Sequence, residues 1–263
     1  SFFSHQVAIT GGAATKHVAY GLPAGLSIHP TTGLISGRPL VPGEYAQVWI
    51  VATNAAGSST SVAYILDVAD FPAATKGTFV GLADRAGTST GELGARVDLS
   101  VSSAAMFSGR VTIGRNVFSI SGPVDTSTPN PSGSAPFAGK TLAFSIDATT
   151  GALSGTITGG GVLTGWRGQT PSLLTGAHNF FAAVPGGPAA GVPQGTSYGS
   201  VNVLATGTAI VSGMTAEGLA FGSSAMISAT GQVLVYQALY AVPGTFNGTL
   251  GIANDSPRTL TGS

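Results

Sequence analysis

Two stretches, GTSTG at 87–91 and GTSYG at 195–199, match the Gly-x-Ser-x-Gly pattern of a hydrolase nucleophile elbow and nominate Ser89 and Ser197. That elbow requires a strand before the serine and a helix after it. Here strands are predicted to follow both, from about Ala95 and from Ser200. In a chain with 40 glycines and abundant serine, such matches arise by chance. His5, His17, His29 and His178 show no metal-ligand spacing, so neither a zinc site nor a Ser-His-acid set assembles. Glu92, Asp98, Asp125, Asp147, Glu217 and Asp255 are too scattered to nominate the paired carboxylates of a glycosidase. No glycine-rich phosphate loop precedes a helix, and the absence of cysteine excludes thiol chemistry. The chain is expected to be no enzyme and to need no cofactor.

Flat aromatic rings can bind sugars without any catalytic group. Trp166 in LTGWRGQTP, beside Arg167, is the candidate ligand contact, because a Gly-flanked loop could present both; capping a barrel end is the plainer reading. Trp49 in QVWIV reads as core, and Tyr236 and Tyr240 share a strand face as core or barrel lining. Two Pro/Gly-rich stretches, 121–140 and 182–199, read as long loops and, in the alternative reading of the chain as a glycan- or small-ligand-binding module, are the expected recognition elements together with the barrel mouth.

The elements that must position these residues are strands. Hydrophobic residues make up 43% of the 263 residues and charged ones only 8%, so outward faces must be hydroxyls and amides rather than ions. Ten basic and ten acidic residues cancel, which argues against nucleic acid or an anionic membrane as partner. No apolar run reaches the length of a membrane helix. Aromatics, at 8% and scattered, do not form the girdles of an outer-membrane barrel, so membrane insertion of this segment is not expected. Alternation in YAQVWIVATN and TSVAYILDV predicts strands, and turn chemistry at Pro23, Gly25, Thr32-Gly33 and Ser36-Gly37 separates short ones.

The ordered pieces Leu22 to Leu26, Thr32 to Pro39, Gly43 to Tyr45 and Ala52 to Gly57 give residues 1–69 a specific likeness. They resemble the Ig-like, dystroglycan-type cadherin-like modules repeated in bacterial surface proteins. The resemblance implies a β-sandwich used outside the cell as a spacer or adhesive repeat. It also raises calcium at the module junction, where Asp67 and Asp70 sit in LDVADFPA; two solvated carboxylates at a strand end are the preferred reading, since calcium wants more oxygens.

Residues 70–76 read as a linker, and 77–263 as a larger Gly-rich β domain of about a dozen strands. Displacing the chain by 104 residues sets 97–114 on 201–218, with Val97 on Val201 and Ser108-Gly109 on Ser212-Gly213. The fold class expected is therefore all-β: an Ig-like β-sandwich, then a β-barrel or barrel-like sandwich built from two related halves. The domain also resembles, more loosely, the Gly-rich β domains that follow such modules in large bacterial surface proteins. The whole reads as an excised piece of a longer cell-surface or secreted bacterial chain, structural or adhesive, whose partners would be an extracellular glycan or a surface protein.

Overall fold

The computed structural model describes residues 2–10, 12–84, 93–159, 161–169, 174–183, 195–239, 244–252 and 260–262. Apart from one 3-10 turn at Ala73–Thr75, the regular structure among them is strand. No helix among the described residues is long and apolar enough to cross a membrane, which says nothing of crossing by strands.

The first unit is an Ig-like arrangement of two small sheets. One has the order β1 (Phe3–Gln6), β4 (Leu34–Gly37), β3 (Leu26–Ile28). The other centres on the long β5 (Gly43–Asn54), flanked by β2 (Lys16–Tyr20) on one side and by β6 (Gly57–Thr60) and β7 (Tyr64–Val68). Glycine is required at the turns between them. Gly25 has φ +92°, and a Cβ there would collide with the carbonyl oxygen of Arg38. Gly33, at φ +72°, makes room for the ring of His17, which is buried with its Nδ1 3.3 Å from the Pro30 carbonyl oxygen. Val48 and Ile50 take the inward positions of β5, so alternation turns Trp49 outward, opposite Tyr20. Trp49 is 38% exposed and is not the core residue its setting predicts.

The second unit is a closed barrel. Eight antiparallel strands follow in chain order: β8 (Gly77–Ala83), β9 (Ala95–Val101), β10 (Met106–Ile113), β11 (Asn116–Asp125), β12 (Ser132–Phe137), β13 (Lys140–Ile146), β14 (Ala152–Ile157) and β15 (Val162–Arg167). β15 returns to β8, pairing Leu163 with Ala83 through Arg167 with Phe79. The interior is filled by side chains such as Val97, Val111, Leu142, Ile146 and Leu163, which have no exposure at all, while Ser, Thr, Arg and Asp alternate outward. Inward glycines let the sheet coil this tightly. Gly122 and Gly133 each lie under the ring of a cross-strand phenylalanine, Phe107 and Phe144, and those two rings meet edge to face at 4.9 Å.

The all-β plan of an Ig-like unit followed by a barrel holds, and closure within residues 77–167 corrects only the place of the repeat in it. An eight-stranded ring already has an interior just wide enough for side chains to fill. The second copy of the repeat therefore cannot be the other half of this barrel, and it begins a third unit. There β16 (Gly176–Ala183), β17 (Thr196–Val203), β18 (Thr208–Met214) and β19 (Ala220–Met226) form one sheet. β20 (Gln232–Leu239), β21 (Gly244–Ile252) and β22 (Leu260–Gly262) form another. β19 lies beside β20 and β22 beside β16, around one core that includes Phe180, Val201, Val211, Phe221, Val233 and Ile252. The matched segments are β9–β10 and β17–β18, and the glycine device recurs, with Phe180 over Gly199 and Phe221 over Gly213.

The stretch 121–140 is also not a long loop. β11 and β12 occupy much of it and leave 126–131 and the two-residue turn 138–139 as connections. Of 182–199, the strands β16 and β17 account for both ends, and 184–194 lie outside the described residues, as do Ser89, Glu92, Tyr240 and Asp255.

Candidate functional site

Side chains that reach from one unit to the next concentrate at two joints. At the first, the Ig-like unit meets the barrel through Arg38, the variable residue of its Ser-Gly-x-Pro turn. One guanidinium nitrogen donates to the carbonyl oxygen of Val124 on β11, and another approaches Met106 Sδ at 3.9 Å. The connection 70–76 is itself packed. Phe71 belongs to the barrel core, Thr75 is fully buried with Oγ1 donating to Pro72 O at 2.6 Å, and Lys76 pairs with Asp70 at 3.1 Å. A cleft of about 440 Å³ remains between the units, with Phe3, Leu26, Leu40, Phe71, Pro129 and Pro131 in its walls.

Asp67 and Asp70 both border that cleft, but their surroundings differ. Lys76 occupies the carboxylate of Asp70, whereas Asp67 stands opposite Glu44 across the β7–β5 pair. Among the described residues no three of His, Cys, Asp and Glu gather into a metal-binding group. Calcium takes six to eight oxygens, and this donor set falls well short of it.

The second joint is the seam between the two barrel-like units. Trp166 lies there, in strand β15 rather than in a loop. It is only 9% exposed, packs with Val80, Leu82, Ala225, Leu234 and Tyr236, and its Nε1 donates to Met226 O at 2.9 Å. Its ring therefore faces protein, not a ligand-accessible surface. Arg167 is likewise engaged, with Nε donating to Lys76 O at 2.6 Å, which links the first joint to the second. Tyr236 faces the seam instead of its own unit's core: its hydroxyl accepts from Gly114 N at 2.7 Å and lies 3.3 Å from Gly94 O. Thr245 Oγ1 and Asn247 Nδ2 donate to Leu93 O at 2.8 and 3.3 Å.

Arg38 and the seam role of Tyr236 escaped the sequence reading, yet a signal for the seam was present. FVGLA at 79–83 and VLVY at 233–236 lack alternation, and both runs are buried on both faces. A strand without alternation is one that is covered on both sides. No comparable pattern marks Arg38, because a single arginine in a turn reads like any other.

The remaining polar groups do local structural work. Ser197, the described candidate nucleophile, lies within β17 and accepts a bond from Ala216 N at 3.0 Å, with strand and not helix after it. Arg96 holds Asp98 by two nitrogens on the outer wall of β9. The Thr150 N–H and hydroxyl and the Thr149 N–H hold the Asp147 carboxyl below the usual carboxylate range, and the Ser127 N–H and hydroxyl lower Asp125 in the same way. Both carboxylates close turns.

Comparison with known proteins places one unit. No curated protein and no solved structure matches the chain. A family model described as "Putative Ig domain" matches residues 3–69, so the N-terminal unit is similar to that family, in agreement with its two-sheet geometry.

Proposed function

We propose that this chain is a non-catalytic structural or adhesive segment of a bacterial cell-surface or secreted protein. The observation that carries the reading is the fastening of both joints by specific side chains, Arg38 at one and Trp166 with Tyr236 at the other. Units that merely share a chain move independently unless their interface is extensive; a segment that must transmit a load or hold a face outward gains from suppressing that motion. Hydroxyl-rich outer walls and a balanced charge suit a segment exposed to solvent and to other surface polymers. In this reading the chain performs no covalent step, and its Ig-like unit serves as a spacer. Brief protease treatment of intact source cells provides the test. Peptides from this chain should be released before lysis; their recovery only after lysis would refute the surface assignment.

A further inference from the structure

The sheet β16–β19 presents an outward face whose composition differs from that of the first barrel. Its register sets Phe181, Tyr198, Met214 and Ala220 in one row across four strands. The next row is Asn179, Ser200, Ser212 and Gly222, and the third is Ala177, Asn202, Ile210 and Ser224. Phe181 is 79% exposed, the highest value for a large apolar side chain among the described residues, and Tyr198 directly opposite is 52% exposed. Single exposed apolar residues need no explanation. Two aromatic side chains facing each other where alternation calls for polar ones do, and none of the twelve positions carries a charge. On the first barrel, by contrast, Arg96, Asp98 and Arg110 share the outer wall.

This inventory matches one class of ligand. A sugar ring offers a flat C–H face to an aromatic ring and hydroxyls at its rim to amides and alcohols, which both donate and accept. Asn179, Ser200, Ser212 and Asn202 supply those groups, and Ser200 and Ser212 already lie 3.3 Å apart across β17–β18. Tyr198 is steadied by its hydroxyl, which approaches Met214 Sδ at 3.6 Å. A charged polymer would lose hydration on this face and find no counter-charge. Four strands span about 14 Å, enough for an extended chain rather than a single sugar.

We infer that the outward face of β16–β19 is a platform for an uncharged polysaccharide, with Phe181 and Tyr198 stacking on its rings and the Asn/Ser row bonding its hydroxyls. The inference rests on the adhesive side of the proposed function and gives it a location.

The test uses the whole chain in affinity electrophoresis and pull-down against cellulose, a β-1,3-glucan, an α-mannan and chitin, with polygalacturonate as the charged control. Retention on at least one neutral polymer is expected, unchanged in 1 M salt. Phe181→Ala and Tyr198→Ala, both at exposed positions, should each weaken it about tenfold or more. Tyr20→Ala, which breaks the exposed aromatic pair of the Ig-like unit, should leave it unchanged. Absence of binding to all four neutral polymers overturns the platform, as does binding that survives both variants or appears only on polygalacturonate. Sedimentation of the free chain adds one more overturning result: a dimer that Phe181→Ala dissociates would make this face a self-interface. None of these outcomes touches the intact-cell proteolysis, so the platform and the surface assignment fail separately.

Discussion

The Ig-like unit and the first barrel solve the same problem with opposite results. Both are built from short antiparallel strands with glycine turns. In the Ig-like unit the buried apolar side chains are Pro23, Ile35, Val48 and Ile50, whereas nine of the sixteen exposed large apolar ones in the described residues belong to it. The barrel exposes three, Met106, Val117 and Val162. Closure explains the difference. In a ring every strand has two partners and every second side chain points into a shared interior, whereas an open sandwich of short strands around one long β5 has edges and a thin core. The large buried cores of the described residues therefore lie in the barrel and in the third unit, not in the Ig-like unit.

That contrast can be broken experimentally. The largest effect is expected inside the barrel, where Phe107→Ala should cost about 3–5 kcal/mol by denaturant unfolding. Ile50→Ala in the Ig-like unit should cost about 2 kcal/mol, at the low end for such truncations because its thin surroundings can collapse. Equal costs would erase the distinction. At the seam, Trp166→Phe removes the bond to Met226 O and part of the packing, about 2 kcal/mol by the usual cost of an unmade buried bond. In calorimetry it should separate one joint unfolding transition of the barrel-like units into two; an unaltered single transition would show that Trp166 does not couple them. Arg38→Met should lower the melting of the Ig-like unit by about 1–2 kcal/mol and leave the barrels untouched.

The smallest expected effect concerns acid. Asp147 and Asp125 have folded pKa values lowered by N–H and hydroxyl donors, so their contribution is present in full above the unfolded value of about 3.9 and is lost as pH falls through the lower folded value. NMR titration should therefore find both midpoints below that of an unfolded aspartate, with the turn at 147–151 unchanged between pH 5 and pH 7. A midpoint at or above the unfolded value would remove the turn-closing role.

Much of the strand plan was legible in the chain itself. Alternation in ARVDLSV predicted an inward Val97, Leu99 and Val101 against an outward Asp98, because a side-chain period of two is a property of the extended backbone. The Leu-Pro-x-Gly-Leu and Thr-Gly turns were legible for a similar reason: positive φ is open to glycine and costly for other residues. The candidate sites were far less so. Trp166 looked presented by its glycines, and only a second unit lying against β15 shows that its ring is covered. Which face of YAQVWIVATN turns inward likewise depends on the facing sheet.

Local backbone and side-chain physics thus determined the all-β class and the turn positions, while the order of motifs along the chain carried the Ig-like likeness of the first unit and the existence of a repeat. Tertiary structure decided that the repeat makes separate bodies and not halves of one, because barrel closure depends on how many strands complete a ring. It also decided which residues fasten the joints, and where two outward aromatics meet. Each of those depends on the register between strands distant in the chain, and no local period records that register.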